Sequence, residues 1–152
     1  MKKILFICEG NICRSPTAEV YFNHRVAMEG LGDKYVSFSR GLIFNTNGHD
    51  IYRPLAELLH ADKIVYQSHS SKMVSRNDVK EADYVLVMEA SQKIQLKRNL
   101  YLADTSKISR LGDYLKPKQD IEDPYVNRKF EEAYSLIKEA VDNLIEYLKT
   151  QE

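Results

Sequence analysis

Apolar positions along the chain change their spacing several times, and each change marks a new element. Lys3–Cys8 carries the continuous apolar run Ile4-Leu5-Phe6-Ile7-Cys8, which fits a strand buried on both faces. After Glu9-Gly10-Asn11, the pair Ser15-Pro16 predicts a helix start, with Ser15 as N-cap and Pro16 at the first helical position. Ala18, Tyr21, Phe22 and Val26 then recur at helical spacing as its buried face. Tyr35–Ser39 alternates like a strand, and Arg53–Ala61 reads as a short helix entered at Pro54. Ser75-Arg76-Asn77-Asp78 has the form of a capping box, with an acid three residues after the cap. Tyr84–Met88 is a second continuous apolar strand, Ser91–Asn99 a helix, and Lys107–Leu111 a fourth strand. The last helix has the longest pattern: Phe130, Ala133, Tyr134, Ile137, Val141, Leu144, Ile145 and Leu148 recur every three or four residues, with charges between them.

Strands alternating with helices predict an α/β fold around a parallel sheet. No repeat, low-complexity stretch or linker interrupts residues 1–152, so a single domain is expected. In such a sheet the ligand site lies beyond the carboxyl ends of the strands, and the turn after Cys8 leaves the first strand at that edge.

Charge and cysteine content narrow the chemistry. Lys plus Arg and Asp plus Glu are 22 each, which removes the usual electrostatic argument for a nucleic-acid or membrane partner. Nine acidic against four basic side chains fall in residues 120–152, where the apolar periodicity marks a solvated helix face. The longest apolar run is far short of the roughly 20 residues that span a bilayer. Met1-Lys2-Lys3 and its apolar sequel stop at Glu9, before the about 7–15 residues of a secretory core. Cys8 and Cys13 are too close to staple a fold, so a reducing, cytoplasmic setting and a chemical role for cysteine are expected. His24, His49, His60 and His69 show no metal spacing and are expected at the surface; neither metal nor other cofactor is expected.

The candidate chemistry lies in Cys8-Glu9-Gly10-Asn11-Ile12-Cys13-Arg14-Ser15-Pro16. Gly10 and Asn11 readily take left-handed backbone conformations, so the loop can turn successive N–H groups inward as an anion nest. The helix N-terminus adds unpaired N–H groups and its positive dipole end. Arg14 presents a planar fork matched to phosphate oxygens. The same environment activates a sulfur at the floor of the cradle as a nucleophile, which points to Cys8, with Ser15 as a donor to it. No Gly-Lys-Ser/Thr follows, so the loop is not of the type that cradles ATP or GTP.

With this loop the chain resembles the low-molecular-weight protein tyrosine phosphatases. The resemblance extends to Ser39-Arg40-Gly41, to Ala82-Asp83-Tyr84-Val85-Leu86-Val87-Met88, to Asp123-Pro124-Tyr125 and to the long terminal helix. It implies a four-stranded parallel sheet with helices on both faces and the phosphate loop after strand one. It also implies Cys8 as nucleophile, Arg14 as phosphate clamp and Asp123 as general acid. The phosphate would be held by Glu9, Gly10, Asn11, Ile12, Cys13, Arg14 and Ser15. Ile12, Tyr125 and Phe44 are the expected substrate rim. The implied partner is a protein carrying phosphotyrosine, with the enzyme a monomer or weak homodimer.

Glu9 departs from the family, where this position is usually apolar or Thr; its carboxylate is expected to face solvent or pair with a base. Residues 42–47 lack the Trp that many relatives carry, and Phe44 is the candidate substitute. Arsenate reductases sharing this loop need further cysteines downstream, and none follows Cys13. Protein-arginine phosphatases carry Thr where this chain has Ile12, which favours an aromatic substrate and leaves phosphoarginine as the alternative. A phosphate-binding module without turnover is a third reading, opposed by the intact Cys8, Arg14 and Asp123.

Overall fold

The computed structural model describes residues 1–43 and 47–152. Their elements run β1 (Lys2–Cys8), α1 (Arg14–Met28), β2 (Tyr35–Gly41), α2 (Arg53–Ala61), α3 (Arg76–Glu81), β3 (Tyr84–Val87), α4 (Ala90–Leu100), β4 (Ile108–Arg110), a 3-10 turn (Leu111–Tyr114), α5 (Pro124–Asn127) and α6 (Phe130–Thr150). Among the described residues the sheet has four parallel strands in the order β2-β1-β3-β4. β1 is central, pairing Lys2–Cys8 with Tyr35–Gly41 on one side and Ile4–Ile7 with Tyr84–Val87 on the other.

The period of two along β1 divides the core into two layers. Ile4, Phe6 and Cys8 face one layer with α1, α2 and α6. Leu5 and Ile7 face the other, with Val79 of α3 and Leu96 and Leu100 of α4. Helices therefore cover both faces, which is why β1 and β3 read as unbroken apolar runs. α6 supplies Ala133, Tyr134, Ile137, Ala140, Val141, Leu144, Ile145 and Leu148 to the first layer. Tyr21 and Tyr134, expected in the core, are buried, but their hydroxyls donate to Asp142 (2.8 Å) and Asp62 (2.5 Å) at its edge.

Two sequence expectations are corrected. Ser15 is not the N-cap of α1: the helix begins at Arg14 after Cys13, which places Ser15 and Pro16 second and third. The hydroxyl of Thr17 donates to the Cys13 carbonyl at 2.6 Å, closing the first turn and freeing Ser15 for another partner. The fourth strand is shorter than Lys107–Leu111, because the chain turns into the 3-10 segment at Leu111. A Cβ on Gly112 would lie 1.6 Å from the Gln119 carbonyl oxygen, so this glycine lets residues 112 and 119 fold against each other. A short helix, α5, follows Asp123, which caps it by accepting from the Tyr125 N–H at 3.0 Å. Elsewhere the boundaries agree within two residues, and the Ser75–Asp78 capping box forms as expected.

Candidate active site

The loop after β1 is organised by Asn11. Its backbone is left-handed (φ 58°), one of the few conformations in which asparagine does better than most residues. Its side chain is fully buried, a costly position for an amide unless every polar atom is paired. They are paired: Nδ2 donates to Ser15 Oγ at 2.8 Å and Ser39 Oγ at 2.9 Å, while Oδ1 accepts from the Lys72 N–H at 3.0 Å. The Asn11 carbonyl lies 2.7 Å from His69 Nε2. Gly41 at the end of β2 completes the frame, since a Cβ there would press on Asn11, Glu9 and Gly10 at 3.1 Å.

This frame surrounds the Cys8 sulfur. The Asn11 N–H donates to it at 3.3 Å, and Ser15 Oγ lies 3.0 Å away. Cys8 and Cys13 are both buried free cysteines. Burial, the neighbouring Cys8 sulfur and then Asp123 push the Cys13 thiol up to about 12, against the opposing pull of Arg14 and Arg128. Arg14 and Ser15 open α1, so their amides belong to the helix N-terminal set that lacks intrahelical acceptors.

Arg14 is buried, and its guanidinium is anchored on one edge. Nη1 donates to Glu89 at 2.5 Å and to the Ile121 carbonyl at 2.8 Å. Burial opposes its charge, but the Cys8 sulfur, Glu89 and Asp123 outweigh it and hold the group firmly ionised. Nη2 approaches Asp123 at 3.7 Å, and the buried Nε has no hydrogen-bond partner among the described residues. A buried N–H of a charged group left without a partner fits an oxyanion ligand.

Asp123 stands across from the loop, half-buried, at the start of α5. The chain ahead of it is tethered: Ile121 N–H donates to Met88, and Asp120 accepts from the Ala90 N–H and from Arg110. Beyond it Tyr125 is 49% exposed and meets Tyr52 edge-on at 5.0 Å. Cys8, Glu9, Gly10, Ile12, Cys13, Arg14, Ile43, Asp123 and Tyr125 line one cavity of about 230 Å³.

The structure thus brings Cys8, Arg14, Asp123, Ile12 and Tyr125 together as the sequence predicts. Phe44 lies outside the described residues; Ile43 is the described rim residue from that stretch. Glu9 is partly exposed and pairs with no base among the described residues: its carboxylate accepts from the Gln95 amide at 3.4 Å. His69 is not a plain surface histidine, because its ring touches the loop backbone at Asn11. Glu89 and Tyr52 were missed, since an acid before a helix and a tyrosine before a proline-started helix are unremarkable in sequence.

A model of the low molecular weight phosphotyrosine protein phosphatase family matches residues 3–152. Low molecular weight protein-tyrosine-phosphatase YfkJ of Bacillus subtilis is 34% identical over 147 residues, spanning 95% of this chain and 94% of that protein. Its crystal structure superposes with a TM-score of 0.96 over 100% of this chain and 97% of that one. The Sus scrofa low molecular weight phosphotyrosine protein phosphatase is 34% identical over 139 residues, with 88% and 87% coverage. The drosophila arginine phosphatase structure superposes at 0.88 with 31% identity, covering both chains fully. By its sequence match over nearly its whole length and by its fold, the chain belongs to the low molecular weight phosphotyrosine protein phosphatase family.

Proposed function

We propose that this protein is a phosphatase that hydrolyses phosphotyrosine in proteins through a phosphocysteine intermediate on Cys8. The observation that carries this reading is Arg14: one edge tied to Glu89 and Ile121, its Nε buried without a partner among the described residues, in the cavity that Cys8 also lines. In the first step the Cys8 sulfur attacks phosphorus as the bond to the tyrosine oxygen breaks. Arg14 and the loop amides stabilise charge on the equatorial oxygens. Asp123, protonated, gives its proton to the leaving phenolate oxygen. In the second step Asp123 takes a proton from water, which attacks phosphorus, and inorganic phosphate leaves with the sulfur restored. Ser15 and Asn11 hold the sulfur at the cavity floor throughout.

The test is hydrolysis of matched phosphotyrosine and phosphoarginine peptides in the presence of chelator. The apolar Ile12 at the cavity wall and the Tyr125–Tyr52 pair favour the aromatic substrate. Against Ile12 itself a guanidinium would lose hydration without gaining an acceptor. Similarity to the drosophila arginine phosphatase is the observation that keeps phosphoarginine as the second reading. Ile12→Thr is expected to shift kcat/KM towards phosphoarginine; an unchanged ratio would remove Ile12 as the selector.

Redox control and a cytoplasmic setting belong to the same proposal. Cys8 and Cys13 line one cavity, and both thiols are free, as a reducing compartment maintains them. Peroxide would convert the Cys8 sulfur to a sulfenic acid, which condenses with the Cys13 thiol to a disulfide and water. Inactivation should be reversible by thiols in the wild type and irreversible in Cys13→Ser. Intact mass without a loss of two hydrogens would rule the disulfide out.

A further inference from the structure

Two charged side chains at the mouth of this cavity have no partner of opposite charge among the described residues, and residues 44–46 carry no charge. Glu9 lines the cavity next to Cys8, and its one neighbour is the neutral Gln95 amide at 3.4 Å. Alone, its carboxylate opposes an incoming phosphate dianion. Arg128 packs on Tyr125, which lines the same cavity, and has a left-handed backbone conformation (φ 62°). Its guanidinium lies 5.6 Å from the Tyr52 ring centre, 5.9 Å from Tyr125 and 5.0 Å from Phe130. It also donates to the Tyr52 hydroxyl and the Tyr125 carbonyl, both at 3.3 Å. Three rings and two neutral acceptors fix the position of this cation, and Glu57, Glu131 and Glu132, which line the next cavity with it, form no ion pair with it. Its charge reaches the cavity interior, where it acts on Cys13.

The two charges lie towards opposite faces of the sheet. Gln95, which holds Glu9, is on α4, packed with β1's Leu5 and Ile7 layer. Tyr52, which seats Arg128, packs with the α2 and α6 layer. A peptide that inserts one phosphotyrosine between them must run across the mouth, and at about 3.3 Å per extended residue its immediate neighbours reach both flanks. We propose that the mouth reads the charge of the residues flanking the phosphotyrosine, Arg128 meeting an acidic side chain on one flank and Glu9 a basic one on the other. This rests on the phosphotyrosine reading above.

The experiment uses four phosphotyrosine peptides that differ only in the two flanking positions: acidic then basic, basic then acidic, both acidic, both basic. kcat/KM is measured for the wild type, Glu9→Gln, Arg128→Gln and Arg128→Met, at about 50 mM and about 500 mM salt. One mixed order should exceed the reversed order by about threefold or more, the scale of exposed charge pairs, and the advantage should shrink at high salt. Glu9→Gln should abolish the benefit of the basic residue and keep that of the acidic one. Arg128→Gln should do the opposite, and Arg128→Met, which keeps an apolar stem on the rings, should match it. Equal rates for the two mixed orders, or one ranking shared by all four proteins, would overturn the proposal while leaving the phosphatase reading intact. Absence of turnover on every peptide would overturn both.

Discussion

Asn11 alone carries five hydrogen-bond partners inside the Cys8–Ser15 loop and its neighbours, whereas Asp123–Phe130 is held by one short helical turn, edge-on and tilted ring contacts and the hydrogen bonds of Arg128. The contrast extends to burial. Asn11, Arg14 and Ser15 are almost wholly buried, while Tyr125 is 49% and Val126 76% exposed. In the proposed reaction these segments have different tasks. The loop must hold dipoles and charge where negative charge develops, and preorganisation of that kind costs nothing at the moment of reaction only if the frame is rigid. The acid must deliver a proton to one substrate and take one from water, so it stands at the open side. Changes in the loop should therefore damage stability and activity together, and changes across from it activity with little loss of stability.

The largest effect is expected at the sulfur. Cys8→Ser should lower kcat by more than about 10³-fold, because a serine hydroxyl is not ionised by this environment, while phosphate binding persists. A Cys8→Ser protein with full rate would end the covalent mechanism. Arg14→Ala follows, with kcat down by about 10²–10³-fold and KM raised, as for the loss of an oxyanion donor. Glu89→Gln should show the same pattern more weakly, since its role is to position Arg14. An Arg14→Ala enzyme with unchanged KM would show that the clamp does not hold the ground-state phosphate.

Asp123→Ala should slow phosphotyrosine peptides by about 10²-fold or more and p-nitrophenyl phosphate much less, because only the poorer leaving group requires the proton. Its stability cost should stay near the about 1 kcal/mol of a lost helix cap. Asn11→Ala sharpens the other side of the contrast: buried partners left unpaired and an alanine at φ 58° should cost about 2–4 kcal/mol, read as a lower urea midpoint, together with activity. A mutant at full stability would mean that the loop frame is not cooperative.

The smallest expected effect lies behind the loop. Burial raises the Glu19 carboxyl above its usual range, although the hydrogen bond from Ser39 works the other way. A carboxyl that binds its proton more tightly in the folded state contributes stability that is complete below the unfolded value near 4.5. That contribution is lost as pH rises through the folded value. The stability difference between wild type and Glu19→Gln should accordingly move against the wild type as pH rises from about 4.5. Urea midpoints across that range check the sign.

The sequence by itself determined the strands, the long amphipathic helix and the identity of the chemistry-bearing loop. Continuous apolar runs and a 3.6 period are local signals, and Cys8, Gly10, Asn11, Arg14 and Ser15 lie within one turn of chain. Asp123 was legible only through resemblance, because nothing local distinguishes one aspartate among 22 acidic residues until the fold brings residue 123 to residue 14. Tertiary structure alone decided the rest. The start of α1 moved to Arg14 because Thr17 closes the first turn while Ser15 faces the sulfur. Glu89, His69 and Tyr52 acquired their places from contacts 75, 58 and 76 residues distant in the chain. Such contacts form between elements whose side chains carry no record of their partners, and only the packing of both helical layers against β1 sets them at hydrogen-bonding distance.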